Sequence, residues 1–258
     1  MNPFLALLAG VIGYLAGSIS FARVITGIFA PEQDISHIDI SVPGSEARFE
    51  SDAISATSVR LHLGPQYGCM VSILDMLKAA LPALIFKLWQ PEAPYYLVAA
   101  GMAAVGHNWP VYYRFKGGRG MSPILGGMLV VDWLGVVVTN LLGLLSDLAI
   151  KSTLVASGVW LLLMIPWIWV RTDNRAELVY VVAMAILFWA SMIPEWRELL
   201  RLRREGTLAD FQKAKEVQVA ARRDGQTAQQ MSTSDLLSAL LSRLGRKDTG
   251  TGPDGSLD

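Results

Sequence analysis

The residues best equipped for chemistry stand in Gly106-His107-Asn108-Trp109-Pro110 and Phe115-Lys116-Gly117-Gly118-Arg119-Gly120, between two strongly apolar segments. Lys116 and Arg119 bring two positive charges close together, and Gly117, Gly118 and Gly120 remove side-chain bulk around them. Glycine permits backbone conformations closed to other residues, so such a loop can turn amide N–H groups and both cations onto one anion. Two readings stand on the residues alone. The loop is a phosphate site at the bilayer surface, or it is a juxtamembrane cationic turn that orients the chain. His107 is open in the same way, as a base or phosphate donor or as a helix-end histidine beside an interfacial Trp109.

Two further groups have the right chemistry. Ser51-Asp-Ala-Ile-Ser-Ala-Thr-Ser-Val-Arg60 offers the hydroxyls of Ser51, Ser55, Thr57 and Ser58, followed by a cation. Hydroxyls hydrogen-bond phosphate oxygens and arginine grips them bidentately, although a solvated loop leading into a helix cap has the same composition. Asp75 and Lys78 lie three apart in an apolar segment, so a helix places them on one face. Charges at membrane depth cost roughly 2.5–3.5 kcal/mol each, so these two pair with each other or face a polar interior.

The elements that position these residues read as membrane helices. The chain has 258 residues, 52% hydrophobic and 17% charged, with zero net charge. A soluble domain carries more charge than this. The charges are also badly spread: residues 121–150 hold only Asp132 and Asp147, whereas 195–223 are crowded with Arg, Lys and Glu. Apolar segments run from Phe4 to about Ala22, then over 68–88, 94–111, 121–131, 134–150, 153–170 and 178–193. In lipid a lone segment must satisfy its backbone internally, which predicts helices throughout. The first segment lacks a basic leader and a small-residue cleavage pattern, so it reads as a retained span. The piece at 121–131 is too short for roughly 30 Å of hydrocarbon. Positive charge follows the third helix at Arg114, Lys116 and Arg119 and the last at Arg197, Arg201, Arg203 and Arg204. Both clusters belong in the cytoplasm. An even number of crossings must separate them, which favours a break near Asp132. The expected fold is an all-α polytopic membrane protein of about seven helices, N-terminus outside and C-terminus cytoplasmic.

Residues 30–67 form a long polar connection, acidic at first and expected to face the 114–120 loop from the cytoplasm. The integral domain spans 1–204. A hydrophilic cytoplasmic tail, 205–258, carries a short amphipathic helix over 234–245 and a disordered end from Thr249. The single cysteine, Cys69, excludes an intramolecular disulfide, and the three histidines have no metal-ligand spacing. No internal repeat is visible.

Taken together, these motifs resemble the acyl-phosphate:glycerol-3-phosphate acyltransferase family, PlsY. Gly17-Ser-Ile-Ser-Phe21 stands where that family has Gly-Ser-Ile-Pro-Phe. Glu50 to Ser58 aligns with its G-S-x-N-x-G-A-T-N, Asp75-Met-Leu-Lys78 with D-x-L-K, and Gly106-His107, Pro110 and Phe115–Gly120 with G-H-x-x-P…F-K-G-G-K-G. The likeness covers about residues 4–207. It implies a bacterial inner-membrane, multi-pass enzyme that moves a fatty acyl group from acyl phosphate to the 1-hydroxyl of glycerol 3-phosphate, making lysophosphatidic acid for phospholipid synthesis. Ser51, Arg60 and Lys116 would be catalytic. Thr57, His107, Gly117, Gly118, Arg119, Gly120 and Ser122 would bind substrate phosphate, and Asp75 and Lys78 would support them. No cofactor or metal is implied; membrane lipid is a partner, nucleic acid is not, and the tail names no protein partner. The sequence also departs from the family pattern. Both asparagines of the first motif are Ala53 and Ser58, and its glycines are Glu50, Asp52 and Ser55. The arginine sits one position early at Arg60, and Met121-Ser122-Pro123 replaces V-A-T. The third motif, H-R-E-N, reads Trp196-Arg-Glu-Leu199. The rivals are a homologue that binds lipid, phosphate or a partner without turnover and, with less support, a transporter of phosphorylated solutes.

Overall fold

A computed structural model describes residues 1–41, 48–150 and 153–228, and the tail helix expected over 234–245 lies outside them. Ten helices and one hairpin make up the described chain: α1 (Pro3–Gly17), α2 (Phe21–Phe29), β1 (Ile38–Ser41), β2 (Arg48–Ser51), α3 (Ala56–His62), α4 (Pro65–Trp89), α5 (Tyr95–Asn108), α6 (Met121–Ile150), α7 (Thr153–Arg171), α8 (Arg175–Ser191), α9 (Ile193–Arg204) and α10 (Leu208–Ala228). Residues Met1–Arg222 form one compact unit.

Among the described residues, three stretches are long and apolar enough to cross a bilayer: Pro3–Phe29, Pro65–Trp89 and Met121–Ser146. The bent pair α8–α9 makes a fourth if it counts as one span. Leucine, isoleucine and tryptophan side chains such as Leu7, Leu81, Ile85, Leu88 and Leu144 are exposed on these helices, as a lipid-facing surface requires. The interior is built by close backbone approach. On α1, a Cβ at Gly13 or Gly17 would stand 2.2 Å from the carbonyl oxygen of Ala99 or 2.1 Å from that of Ala103. Small residues on both α1 and α5 let the two helices pack at backbone distance, the usual device where lipid supplies no hydrophobic drive between helices.

Two breaks interrupt apolar segments. The first segment is not one helix: α1 ends at Gly17 and α2 begins at Phe21. The intervening Ile19 carbonyl is left free of the helical ladder and accepts a hydrogen bond from Lys78 Nζ at 2.7 Å. The second break falls at Asp132, whose φ of −149° and ψ of 93° interrupt α6. Asp132 caps the half that follows, accepting from the Gly135 amide at 3.0 Å and the Trp167 indole at 3.0 Å, with Arg171 at 2.7 Å as counter-ion. From the other side Lys87 Nζ donates to the carbonyls of Val130 and Val131. Each half therefore has its freed backbone groups satisfied by side chains, as a break at membrane depth demands.

The all-α expectation needs one correction. Within the polar connection, β1 and β2 pair antiparallel, with Ile38 opposite Ser51 and Ile40 opposite Phe49. Ile38, Ile40, Phe49 and Ser51 all point inward, the period-two alternation of a half-buried ribbon. Their inner face packs on Leu199 and Leu202 of α9 and Phe211 of α10, which is enough apolar burial to hold strands of only four residues.

Candidate functional site

The glycine-rich loop takes its shape from contact with the end of α5. Arg114 and Phe115 adopt left-handed backbone conformations, φ 53° and 61°, at a cost of roughly 1–2 kcal/mol each for residues with a Cβ. The reversal returns Gly117 and Gly118 onto His107. A Cβ at Gly117 would stand 2.1 Å from the His107 carbonyl oxygen, and one at Gly118 would stand 2.2 Å from His107 Nε2. Gly120 has φ +81° and lies against the Asn108 side chain. The glycines therefore serve close packing first. Two of the loop amides are spent within the fold: the Gly118 amide donates to His107 O at 3.1 Å and the Lys116 amide to Tyr113 O at 3.1 Å.

The first motif meets this loop directly. The Ile54 amide donates to Gly117 O at 3.1 Å. Ser55 caps α3 with a capping box completed by Ser58, so two of the four hydroxyls serve helix initiation. Ser51, buried at the end of β2, donates instead to Glu195 Oε1 at 2.8 Å. The same oxygen takes Arg119 Nε at 2.7 Å and its terminal nitrogen at 2.5 Å. Glu195 Oε2 is buried without a hydrogen-bond partner. Ser191 fixes the Arg119 backbone by donating to its carbonyl at 2.9 Å. One carboxylate thus ties together a strand, the cationic loop and α9.

Beneath this lies a buried charge network. Lys78 Nζ donates to Ile19 O at 2.7 Å, lies 2.9 Å from His107 Nδ1, and forms an ion pair with Asp75 Oδ1 at 2.7 Å. The Asp75–Lys78 pairing follows the sequence expectation. His107 is buried, and it belongs to this network although its sequence neighbour Trp109 is exposed.

These parts surround a cavity of about 320 Å³. Ser51, Thr57, Asp75, His107, Arg119, Gly120 and Ser122 line it, so seven of the twelve residues singled out in the sequence converge on one space. Arg60, Lys78, Lys116, Gly117 and Gly118 do not line it. Arg60 and Lys116 are exposed, because α3 turns Arg60 outward and the left-handed turn carries Lys116 to the surface. Gly117 and Gly118 shape the wall from behind. The opposite wall is apolar, with Ile38, Ile40, Phe49, Phe188, Met192 and Leu199. Two ionisable lining residues escaped the sequence reading, Glu195 and Lys215. Neither belongs to a motif. Only the apolar periodicity of 208–219 offered a hint that the start of the tail packs inward.

Fold and site together define a multi-pass membrane protein with cations, hydroxyls and a carboxylate gathered beside an apolar wall. The chain belongs to the glycerol-3-phosphate acyltransferase family, whose model matches residues 7–202. Among curated relatives, a glycerol-3-phosphate acyltransferase of Mycoplasma mycoides is 32% identical over 170 residues, covering 63% of this chain and 61% of that protein. One from Myxococcus xanthus is 37% identical over 122 residues, covering 47% and 57%. The chain thus spans about three fifths of the length of these relatives. The crystal structure of PlsY, an integral membrane glycerol 3-phosphate acyltransferase, in its glycerol 3-phosphate form matches with a TM-score of 0.66 and 26% identity, over 77% of this chain and 93% of that one. Its lysophosphatidic acid form matches with a TM-score of 0.65 and 25% identity over the same shares.

Proposed function

We propose that this protein transfers a fatty acyl group from acyl phosphate to the 1-hydroxyl of glycerol 3-phosphate in the bacterial inner membrane, releasing lysophosphatidic acid and phosphate. The observation that carries this reading is the cavity. It joins hydroxyls from separate motifs and the Arg119 cation to apolar lining, in a chain whose family is named for this acceptor. Acyl phosphate is already activated, so the protein's task is to hold two anions near each other and align one hydroxyl. The acceptor oxygen attacks the acyl carbon, the bond from that carbon to the phosphate oxygen breaks, and inorganic phosphate departs. Arg119 and the Ser51, Thr57 and Ser122 hydroxyls hold phosphate oxygens and stabilise the charge that develops. Glu195, through the oxygen that has no partner, accepts the proton of the attacking hydroxyl and passes it to the departing phosphate. Asp75, Lys78 and His107 keep the floor of the cavity rigid. Lys116 and Arg60, at the surface, attract the anionic substrates. Gly117, Gly118 and Gly120 hold the loop in register, and the acyl chain lies along Phe188 and Met192.

The same proposal includes the topology. The chain has about seven transmembrane helices, counted with α6 broken at Asp132, with the N-terminus outside and the Arg-rich α9 and the tail after residue 204 in the cytoplasm. The break at Asp132 supports the even count between the two cationic clusters. Complementation of a bacterial strain lacking its own acyltransferase tests the reading. The wild-type gene restores growth, and Ser51→Ala and Arg119→Gln do not. Growth supported equally by both variants would refute the site, and failure of a membrane-inserted wild type would favour a binding protein without turnover.

A further inference from the structure

We propose that Lys215 is a phosphate-binding cation of this cavity, so that α10, which lies beyond the family match, forms part of the substrate site. The proposal rests on the acyl-transfer reading for the identity of the substrate, but on the cavity alone for its anion chemistry.

Besides His107, four ionisable side chains line the cavity: Asp75, Arg119, Glu195 and Lys215. Asp75 is paired with Lys78, and Arg119 with Glu195. A phosphate monoester brings roughly −1.5 to −2 charges at neutral pH, and two internally neutral pairs do not balance it. Among the described residues, Lys215 is the one lining cation with no carboxylate partner and no hydrogen bond. Its nearest charged influence has the same sign. Burial and the field of Arg60 both push the Lys215 ammonium below its ordinary pKa. An anion bound at Lys215 offsets that repulsion and replaces the lost hydration.

The fold fixes Lys215 in place. Gly206, at φ +74°, makes the turn out of α9, and the Thr207 amide closes it onto Leu202 O at 3.0 Å. Phe211 then stacks on Phe49 of the hairpin with ring centroids 4.7 Å apart. Lys215 follows Phe211 by one helical turn and so shares its inward face. A lysine placed only for solubility has no need of this anchorage.

The test uses the full-length protein in lipid nanodiscs. Binding of inorganic phosphate and of glycerol 3-phosphate is measured by calorimetry for the wild type, Lys215→Gln and Lys215→Arg, with thermal unfolding as a control on folding. Loss of one charge-assisted contact predicts that Lys215→Gln weakens both ligands about tenfold or more, while Lys215→Arg stays within about threefold of wild type. Wild-type affinity in a folded Lys215→Gln protein overturns the inference and leaves the acyl-transfer reading standing. Lys215-dependent phosphate binding without lysophosphatidic acid formation does the reverse. Absence of binding by the folded wild type overturns both.

Discussion

Asp75→Asn should be among the most destabilising single substitutions in this protein, and its cost can be worked from the geometry. The Asp75 and Lys78 side chains are 2% and 3% exposed, and their charged atoms are 2.7 Å apart. Removing one partner of a buried ion pair costs about 3–5 kcal/mol, because the other charge stays in place without compensation. Asparagine still offers Lys78 a carbonyl oxygen, and Ile19 O and His107 Nδ1 remain, so the expected loss is near the lower end, about 3 kcal/mol. For a chain of this size that corresponds to a fall in the unfolding midpoint of roughly 6–12 °C. Lys78→Met strands the carboxylate instead and should cost about as much. The double variant removes both charges and leaves only the Ile19 carbonyl and the imidazole short of a donor, a penalty of about 1–3 kcal/mol. The cycle therefore predicts a coupling energy of about 3 kcal/mol or more, measured by thermal and denaturant unfolding of the four proteins in one detergent. Single effects that simply add, with coupling under about 0.5 kcal/mol, would refute the view that this network is a closed electrostatic unit.

Other consequences are as definite. Gly117→Ala forces a Cβ against the His107 carbonyl, which is backbone and cannot swing aside, so it should lose about 1–3 kcal/mol of stability and most of the transferase activity; a fully active Gly117→Ala enzyme would remove the packing role given to this glycine. His37 is held above its ordinary pKa chiefly by its hydrogen bond to Asp52. Its folded pKa being the higher, the small stabilisation is complete below the unfolded value and fades as pH rises through the folded one; Asp52→Asn should shift the titration, followed by NMR, to lower pH. For Lys215 the sign is opposite: the folded pKa is lowered, so stability rises with pH between that value and the unfolded one, and Lys215→Met should flatten that rise in a denaturation series.

The contrast between what could and could not be read in the chain has a physical basis. Asp75 and Lys78 announce themselves because one helix turn brings them together, and the break at Asp132 because a carboxylate in an apolar run needs local partners. The convergence of Ser51, Thr57, Arg119 and Ser122 was legible through motif order. Glu195 was not, since its value lies in meeting Ser51 across 144 positions and Arg119 across 76. The hairpin was hidden for a similar reason: four-residue strands in a polar connection gain their stability from Leu199, Leu202 and Phe211, far along the chain. The loop was half legible. Its glycines mark tight geometry, yet sequence alone could not separate an open anion cradle from a wall packed on His107, and the contacts at Gly117 and Gly118 favour the wall.

The central claim is acyl transfer at the Ser51–Arg119–Glu195 cavity. The most direct measurement supplies purified protein in nanodiscs with a defined acyl phosphate and glycerol 3-phosphate, and follows lysophosphatidic acid by mass spectrometry alongside released phosphate. The account predicts equal molar amounts of both products from the wild type, and kcat/KM lowered about a hundredfold or more in Arg119→Gln. Folded wild-type protein that forms no lysophosphatidic acid, or an Arg119→Gln variant with unaltered kcat/KM, would contradict it.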